Sequence, residues 1–294
     1  MSGARASFAA LAGLVVLVAL AAQLVADGLY GTLAVLPSVP RALAGDWPFA
    51  LAERTGLDRI PAVRVALARG AIVRDEPARA VALLAPLGTG GDVIDLRGRA
   101  AMLANDPAGA LRDFTAAGDF IAAEGAIDAL GDRDPRAALA LVRDFEARLV
   151  ANGEAPEITA EVEWREGGIA AAAARRYPAQ AAAYDRASVD AFARALARAP
   201  NDEKYLLNYA FAALRNGDVE VAKRTYQRAT EVVPDSVDAF LGVAVTAAGL
   251  GQCAASRAAL AQARAFAAGQ HRTVATPATG YAPDVRAAFA RCNG

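Results

Sequence analysis

Apolar and polar positions along this chain fall into two regimes. Residues 8–26 are uncharged and almost wholly apolar, with Gln23 the polar exception. From residue 61 onward the apolar positions are spread at helical spacing and mostly filled by alanine, as in the runs 78–87, 108–117 and 136–149. An amphipathic stripe of this kind predicts a helix with one buried face. Each run comes after an acidic residue and a proline: Asp75-Glu76-Pro77, Asp106-Pro107 and Asp134-Pro135. Aspartate caps a helix by accepting hydrogen bonds from first-turn N–H groups. Proline suits that turn because its missing N–H has no intrahelical partner to lose. The chain is therefore expected to restart helices repeatedly. Runs of Val, Ile, Thr and aromatics that would favour strands are nearly absent beyond the N-terminal segment, so the expected fold class is all-α.

The apolar segment has the length of a membrane span. A helix over residues 8–26 reaches about 28 Å, against about 30 Å for a bilayer core. Arg5 precedes it and Asp27 comes directly after it. The positive-inside rule then puts the N-terminus in the cytoplasm and the body outside. The expectation is a single-pass signal anchor over 1–27, in a bacterial inner membrane, with a periplasmic body. Ala19-Leu20-Ala21 also has the small-x-small pattern of a signal-peptidase site. A cleaved signal peptide, and a buried core helix, are the competing readings. Apolar character continues through Leu24 and Val25 and resumes at 29–36, which favours the anchor. Pro37, Pro40 and Pro48 interrupt the next stretch and Pro61 closes it, so residues 28–60 read as a linker with short helices at 41–44 and 48–55.

An internal repeat is visible further on. Leu206, Ala210, Gly217, Ala222, Tyr226, Ala229 and Pro234 set a large residue, a small one, a turn, then Ala, aromatic, Ala and Pro. This unit resembles the tetratricopeptide repeat. A step of about 34 residues, the period of that family, carries Leu206 to Phe240, Ala210 to Ala244, Gly217 to Gly251 and Ala229 to Ala263. Pro200, Ala195 and Phe192 stand in register one step earlier. Ile94, Gly98, Ala110, Phe114 and Ala117 keep the same internal spacing. The resemblance implies an α-solenoid of helical hairpins over 61–268, best formed at 91–118, 201–234 and 235–268. A loop and a capping helix over 269–294 would complete the chain. Trp164 and Gly168 look like the opening of a further unit. Trp164 stands 36 residues before Pro200, whereas Leu206 stands 28 before Pro234. The eight extra residues are expected in a longer loop around Pro178, and Trp164 in the core.

Composition narrows the chemistry. The chain of 294 residues is 55% hydrophobic with a net charge of −1. No basic stripe marks a nucleic-acid surface. Lys204 and Lys223 are the only lysines, and with the alanine excess this points to GC-rich bacterial coding. Cys253 and Cys292 lack the close spacing of a metal pair. In an exported body they are candidates for a disulfide; otherwise they are two unrelated thiols. His271 is a lone histidine in a predicted loop and reads as a surface residue. Gly88-Thr89-Gly90-Gly91 lacks the Gly-Lys-Ser/Thr ending of a phosphate loop and reads as a turn between repeats. Glu161 and Glu163 read as a solvated helix face. No catalytic, cofactor-binding or metal-ligating set emerges.

What the resemblance implies is a groove for an extended peptide or a partner's helix. The groove positions are Lys204, Leu207, Asn208 and Phe211 in one unit and Asp238, Leu241, Gly242 and Val245 in the next. Such a groove would be largely apolar, rimmed by Lys204, Arg99 and Arg165. The leading expectation is a non-enzymatic scaffold or adaptor at the bacterial cell envelope. A soluble periplasmic chaperone or binding protein, and a regulatory subunit of an envelope enzyme, are the alternatives.

Overall fold

The computed structural model describes residue 52, residues 54–274 and residues 281–294. The apolar segment 8–26 and most of the expected linker lie outside the described residues. Among the described residues there are thirteen α-helices and no strand. None of these helices is long and apolar enough to cross a membrane.

The chain divides into two units, 1–126 and 127–294. In the first, α1 (Pro61–Val73) pairs with α2 (Pro77–Leu84), and α3 (Gly91–Leu103) with α4 (Pro107–Ala117). The division falls within α5 (Phe120–Arg133). The second unit opens with α6 (Pro135–Asn152). Three hairpins come next: α7 (Pro156–Arg176) with α8 (Ala181–Arg198), α9 (Glu203–Arg215) with α10 (Val219–Val232), and α11 (Val237–Gly249) with α12 (Cys253–Gly269). The last helix is α13 (Pro283–Asn293). Within each unit every hairpin packs on the next, so each is built as a TPR-like α-solenoid of helical hairpins.

Four hairpins turn in one way. Asp75, Asn105, Gly217 and Gly251 each take a left-handed backbone, with φ of 61°, 59°, 93° and 72°. At the third turn the Gly217 N–H donates to the Leu214 carbonyl at 3.2 Å, and the Asp218 N–H to the Ala213 carbonyl at 2.9 Å. The same pair of bonds recurs at the other three turns. This is the Schellman closure, which satisfies the orphan carbonyls at a helix end. Asp and Asn tolerate the left-handed region better than other side chains, and glycine meets no Cβ penalty there. Asp75 is thus a turn residue and not a cap; Glu76 stands at the cap and makes no side-chain bond there. Asp106 accepts from the Gly109 N–H, and Asp134 from those of Arg136 and Ala137. His271 closes α12 in the same left-handed state, at φ 53°.

A missing side chain facing a ring sets how closely helices approach. A Cβ on Gly98 would lie 2.6 Å from the Phe114 ring across α3 and α4. One on Gly167 would lie 2.7 Å from Phe192 across α7 and α8. Gly242 of α11 meets the Tyr226 ring of the preceding hairpin just as tightly. The expected small residue, Gly168, instead faces open space one position away. The extra residues of this hairpin do not make a longer loop either. They extend α7 to 21 residues and α8 to 18, joined by a 3-10 turn over Pro178–Gln180. Alanine, the best helix former, fills the region on both sides of Pro178, so the helices run up to the proline.

The longest hairpin hides charge. Glu163 and Glu166 of α7 are fully buried, contrary to the solvated face expected for Glu163. Arg198 donates to Glu163 at 2.8 Å, and Arg143 of α6 to Glu166 at 2.6 Å. Arg194 of α8 reaches Glu163, Glu166 and Glu146. The guanidiniums stay partly exposed, so the carboxylates alone bear full desolvation. Burial pushes the Glu146 carboxyl above its usual range against the pull of Arg194, and contact with Glu163 pushes it the same way.

Two outcomes are expected from these contacts. Gly167→Ala forces the Phe192 ring to shift and costs about 1–3 kcal/mol. Gly168→Ala next to it gains helix propensity and stabilises by about 0.5–1 kcal/mol. Urea unfolding measures both, and equal signs would refute the packing described. Glu146 has a raised folded pKa, so its contribution favours the fold at low pH and is lost as pH rises through the raised value. Glu146→Gln should flatten the fall in urea midpoint on going from mildly acidic to neutral pH. An unchanged slope would count against the coupled cluster.

Candidate partner-binding groove

The helices that open the last two hairpins, α9 and α11, carry most of the expected groove residues. Asp202 caps α9 by accepting from the Tyr205 N–H, and Ser236 caps α11 by accepting from the Ala239 N–H. The two N-terminal ends therefore start at defined points, and the side chains of their first turns meet. Lys204, Leu207, Asn208 and Asp238 line one cleft of about 420 Å³, together with Gln270 and Arg272 from the segment after α12.

The cleft is polar. The Lys204 ammonium pairs with Glu161 of α7 and lies 4.2 Å from the centre of the Trp164 ring and 4.8 Å from that of Tyr205. Attraction to the ring faces adds to the ion pair and holds the cation in place. Tyr205 donates its hydroxyl to the same carboxylate at 3.2 Å. The Asn208 amide donates to the Lys204 carbonyl at 2.7 Å, which fixes it along the helix. Arg272 approaches Asp238 at 3.4 Å, and Gln270 donates to the Asp235 carbonyl at 3.1 Å. Charges of both signs thus face the opening, each already placed by a neighbour.

Other expected groove residues sit elsewhere. Arg165 pairs with Asp128 and Glu161, behind Lys204. Arg99 belongs to the first unit, where it pairs with Asp95 and Asp119. Hydrogen bonding to Asp95 raises its pKa further, so it stays cationic. Trp164 is half-buried against Ala160, Ala195 and Tyr205. Val245 does not line an open groove; it is fully buried in a cluster with Val285, Phe289 and Cys292 of α13. Gly242 is buried as well, under the Tyr226 ring.

The apolar end of the groove is covered. Phe211 meets the ring of Tyr281 edge-on, with centroids 5.4 Å apart at 79°. Leu207 and Leu241 are half-buried against the same cluster. Cys253 and Cys292 form a disulfide that ties α13 to the start of α12. Burial raises the Tyr226 phenol well above the usual tyrosine range, and burial raises that of Tyr281 too. The sequence offers a capping helix within 269–294 and a candidate Cys253–Cys292 disulfide, but nothing in it places Tyr281 against Phe211. The Glu163–Arg198 and Glu166–Arg194 pairings are visible in it only as charges at helical spacing on α7 and α8.

No protein-family profile matches the chain, and no curated protein matches it. Solved structures resemble it at low identity. MamA is 14% identical with a TM-score of 0.45, covering 59% of this chain and 96% of that one. YrrB, a TPR protein with an unusual peptide-binding site, is 16% identical with a TM-score of 0.41, over 76% and 93%. The TPR2AB domain of yeast Sti1, in its pHSP90 complex, is 14% identical with a TM-score of 0.32, over 80% and 98%.

The tyrosine pair yields a measurable outcome. Both phenols have raised folded pKa values, so their stabilising contribution is complete below the ordinary value of about 10 and is lost as pH rises above it. In a near-ultraviolet alkaline titration, the component removed by Tyr226→Phe should lie above the ordinary tyrosine range. Loss of a component within that range would show that Tyr226 is not buried.

Proposed function

We propose that this chain is a protein–protein interaction scaffold whose partner enters the cleft at the N-terminal ends of α9 and α11. One observation carries the reading. The groove positions of two consecutive repeats, Lys204, Leu207, Asn208 and Asp238, converge on a single cleft of about 420 Å³. Placed charges and amides of both signs suit a peptide main chain with polar side chains better than an apolar helix. The apolar surface expected to favour a helix is the part already covered. No bond-making step is needed for such a role, and the reading is of a non-enzymatic adaptor.

The location belongs to the same proposal. Residues 8–26 anchor the chain in a bacterial inner membrane and the body faces the periplasm. The apolar length and the flanking Arg5 and Asp27 support this. The Cys253–Cys292 disulfide supports it independently, since such bonds persist in oxidising compartments.

Crosslinking and affinity capture of the tagged full-length protein from membranes tests the site. A partner captured by the wild type should be lost, or fall at least about tenfold in affinity, in the variant Lys204→Ala, Asn208→Ala, Asp238→Ala. Synthetic peptides tiled over that partner should bind the wild type and not the variant. Full retention by the variant overturns the cleft. Protease added outside the inner membrane should digest the body, and protection of the body would overturn the topology.

A further inference from the structure

The apolar end of the groove is filled in the manner of helix-in-groove recognition, but by the chain itself. Val285, Ala288, Phe289 and Cys292 are the buried residues of α13, at the i, i+3, i+4, i+7 spacing of an amphipathic helix. Val285, Phe289 and Cys292 join Leu214, Val245 and Ala248 in one cluster. Tyr281 stands four residues before Val285 and places its ring against Phe211. It also packs against the cluster that contains Tyr226. The outward residues Arg286, Ala287, Ala290 and Arg291 are exposed.

Polar ties from α13 to α12 gather at one end. Arg257 donates to the Cys292 carbonyl at 3.1 Å, and Asn293 to the Ser256 hydroxyl at 2.8 Å. Both lie beside the Cys253–Cys292 disulfide. Toward Tyr281 the segment is held on the groove chiefly by side-chain packing. Cys253 is half-buried and Cys292 is buried, so the bond is approached from the Cys253 side.

We propose that residues 281–292 are a resident, displaceable occupant of the groove, latched by the Cys253–Cys292 disulfide. Opening the latch frees the groove for a partner's short amphipathic helix with an aromatic residue four positions before its apolar stripe. The opener is a dithiol reductant. One of its thiolates bonds to the Cys253 sulfur, and the Cys292 sulfur leaves with the electron pair of the broken S–S bond. Its second thiolate then closes the reductant's own disulfide and expels the Cys253 thiolate. Two electrons pass to the protein and two protons end on Cys253 and Cys292. While the latch is closed, the tether keeps the resident segment at high local concentration, and an external helix competes poorly. That a partner protein enters at all rests on the scaffold reading; its helical class is taken from the resident segment, and the latch rests on neither.

Amide hydrogen exchange on the full chain tests the latch without any partner. On reduction with dithiothreitol, residues 283–293 should exchange at least about tenfold faster while α9 and α11 keep their protection. Unchanged exchange in α13, or loss of protection throughout α9–α12 together with it, overturns the proposal. A labelled synthetic peptide of residues 281–294 carrying Cys292→Ser then probes the groove. It should bind the reduced chain and the Cys253→Ser, Cys292→Ser variant at least about tenfold more tightly than the oxidised chain. Phe211→Ala in the double variant should weaken that binding, and Tyr281→Ala should open the oxidised chain to it. Equal binding by oxidised and reduced chains, or none by either opened form, overturns the displaceable occupant. Either result leaves the polar cleft at Lys204 to be judged by its own variants.

Discussion

An aromatic ring on one helix meets a residue without a side chain on another, and the hairpins take their spacing from that contact. Phe114 over Gly98, Phe192 over Gly167 and Tyr226 over Gly242 repeat it in three places. The first two close a hairpin; the third joins one hairpin to the next. Small and large residues must alternate across the contact, because a packed interior leaves no room for both to be large and no filler if both are small. Tyr226 also shows how the contact reaches function. The ring that seats α11 against α10 belongs to the cluster on which Tyr281 and α13 pack. The wall of the groove and its cover therefore share that side chain.

Between these contacts the second unit holds a buried ionic cluster. Arg143, Arg194 and Arg198 offset part of the hydration that Glu163 and Glu166 lose, while the arginines keep part of their surface in water. Such a cluster is a weak source of net stability and a strong constraint on register, since a slip of α8 along α7 would leave a buried carboxylate unpaired. The long α7–α8 hairpin has few large apolar side chains, and charge pairing takes over the task of aligning it. On its other side α7 presents Glu161 and Trp164, which position Lys204.

The groove that results has two parts with different chemistry. At the helix N-termini it is open, polar and of mixed charge. One turn further along α9 it is apolar and occupied by Tyr281, with α13 beyond. A single groove residue set read along the repeats merges these parts, because the spacing treats Lys204 and Phe211, or Asp238 and Val245, as equivalent positions on one face.

The sequence by itself determined the all-α class, the hairpin repeat and many of the helix starts. These come from local rules: alanine-rich periodicity, proline in the first turn, and capping by Asp106 and Asp134. It also contained the residues that later meet, but not which of them meets which. Only the tertiary structure decided that Gly167 and not Gly168 faces the ring, that Glu163 is buried, and that Val245 lies under α13. Each of these depends on the rotation of one helix against another. A shift of one residue turns a helical side chain through about 100°, which is enough to exchange core for solvent. Local pattern fixes where a helix begins and ends; which of its neighbouring residues meets a partner is settled when the helices dock.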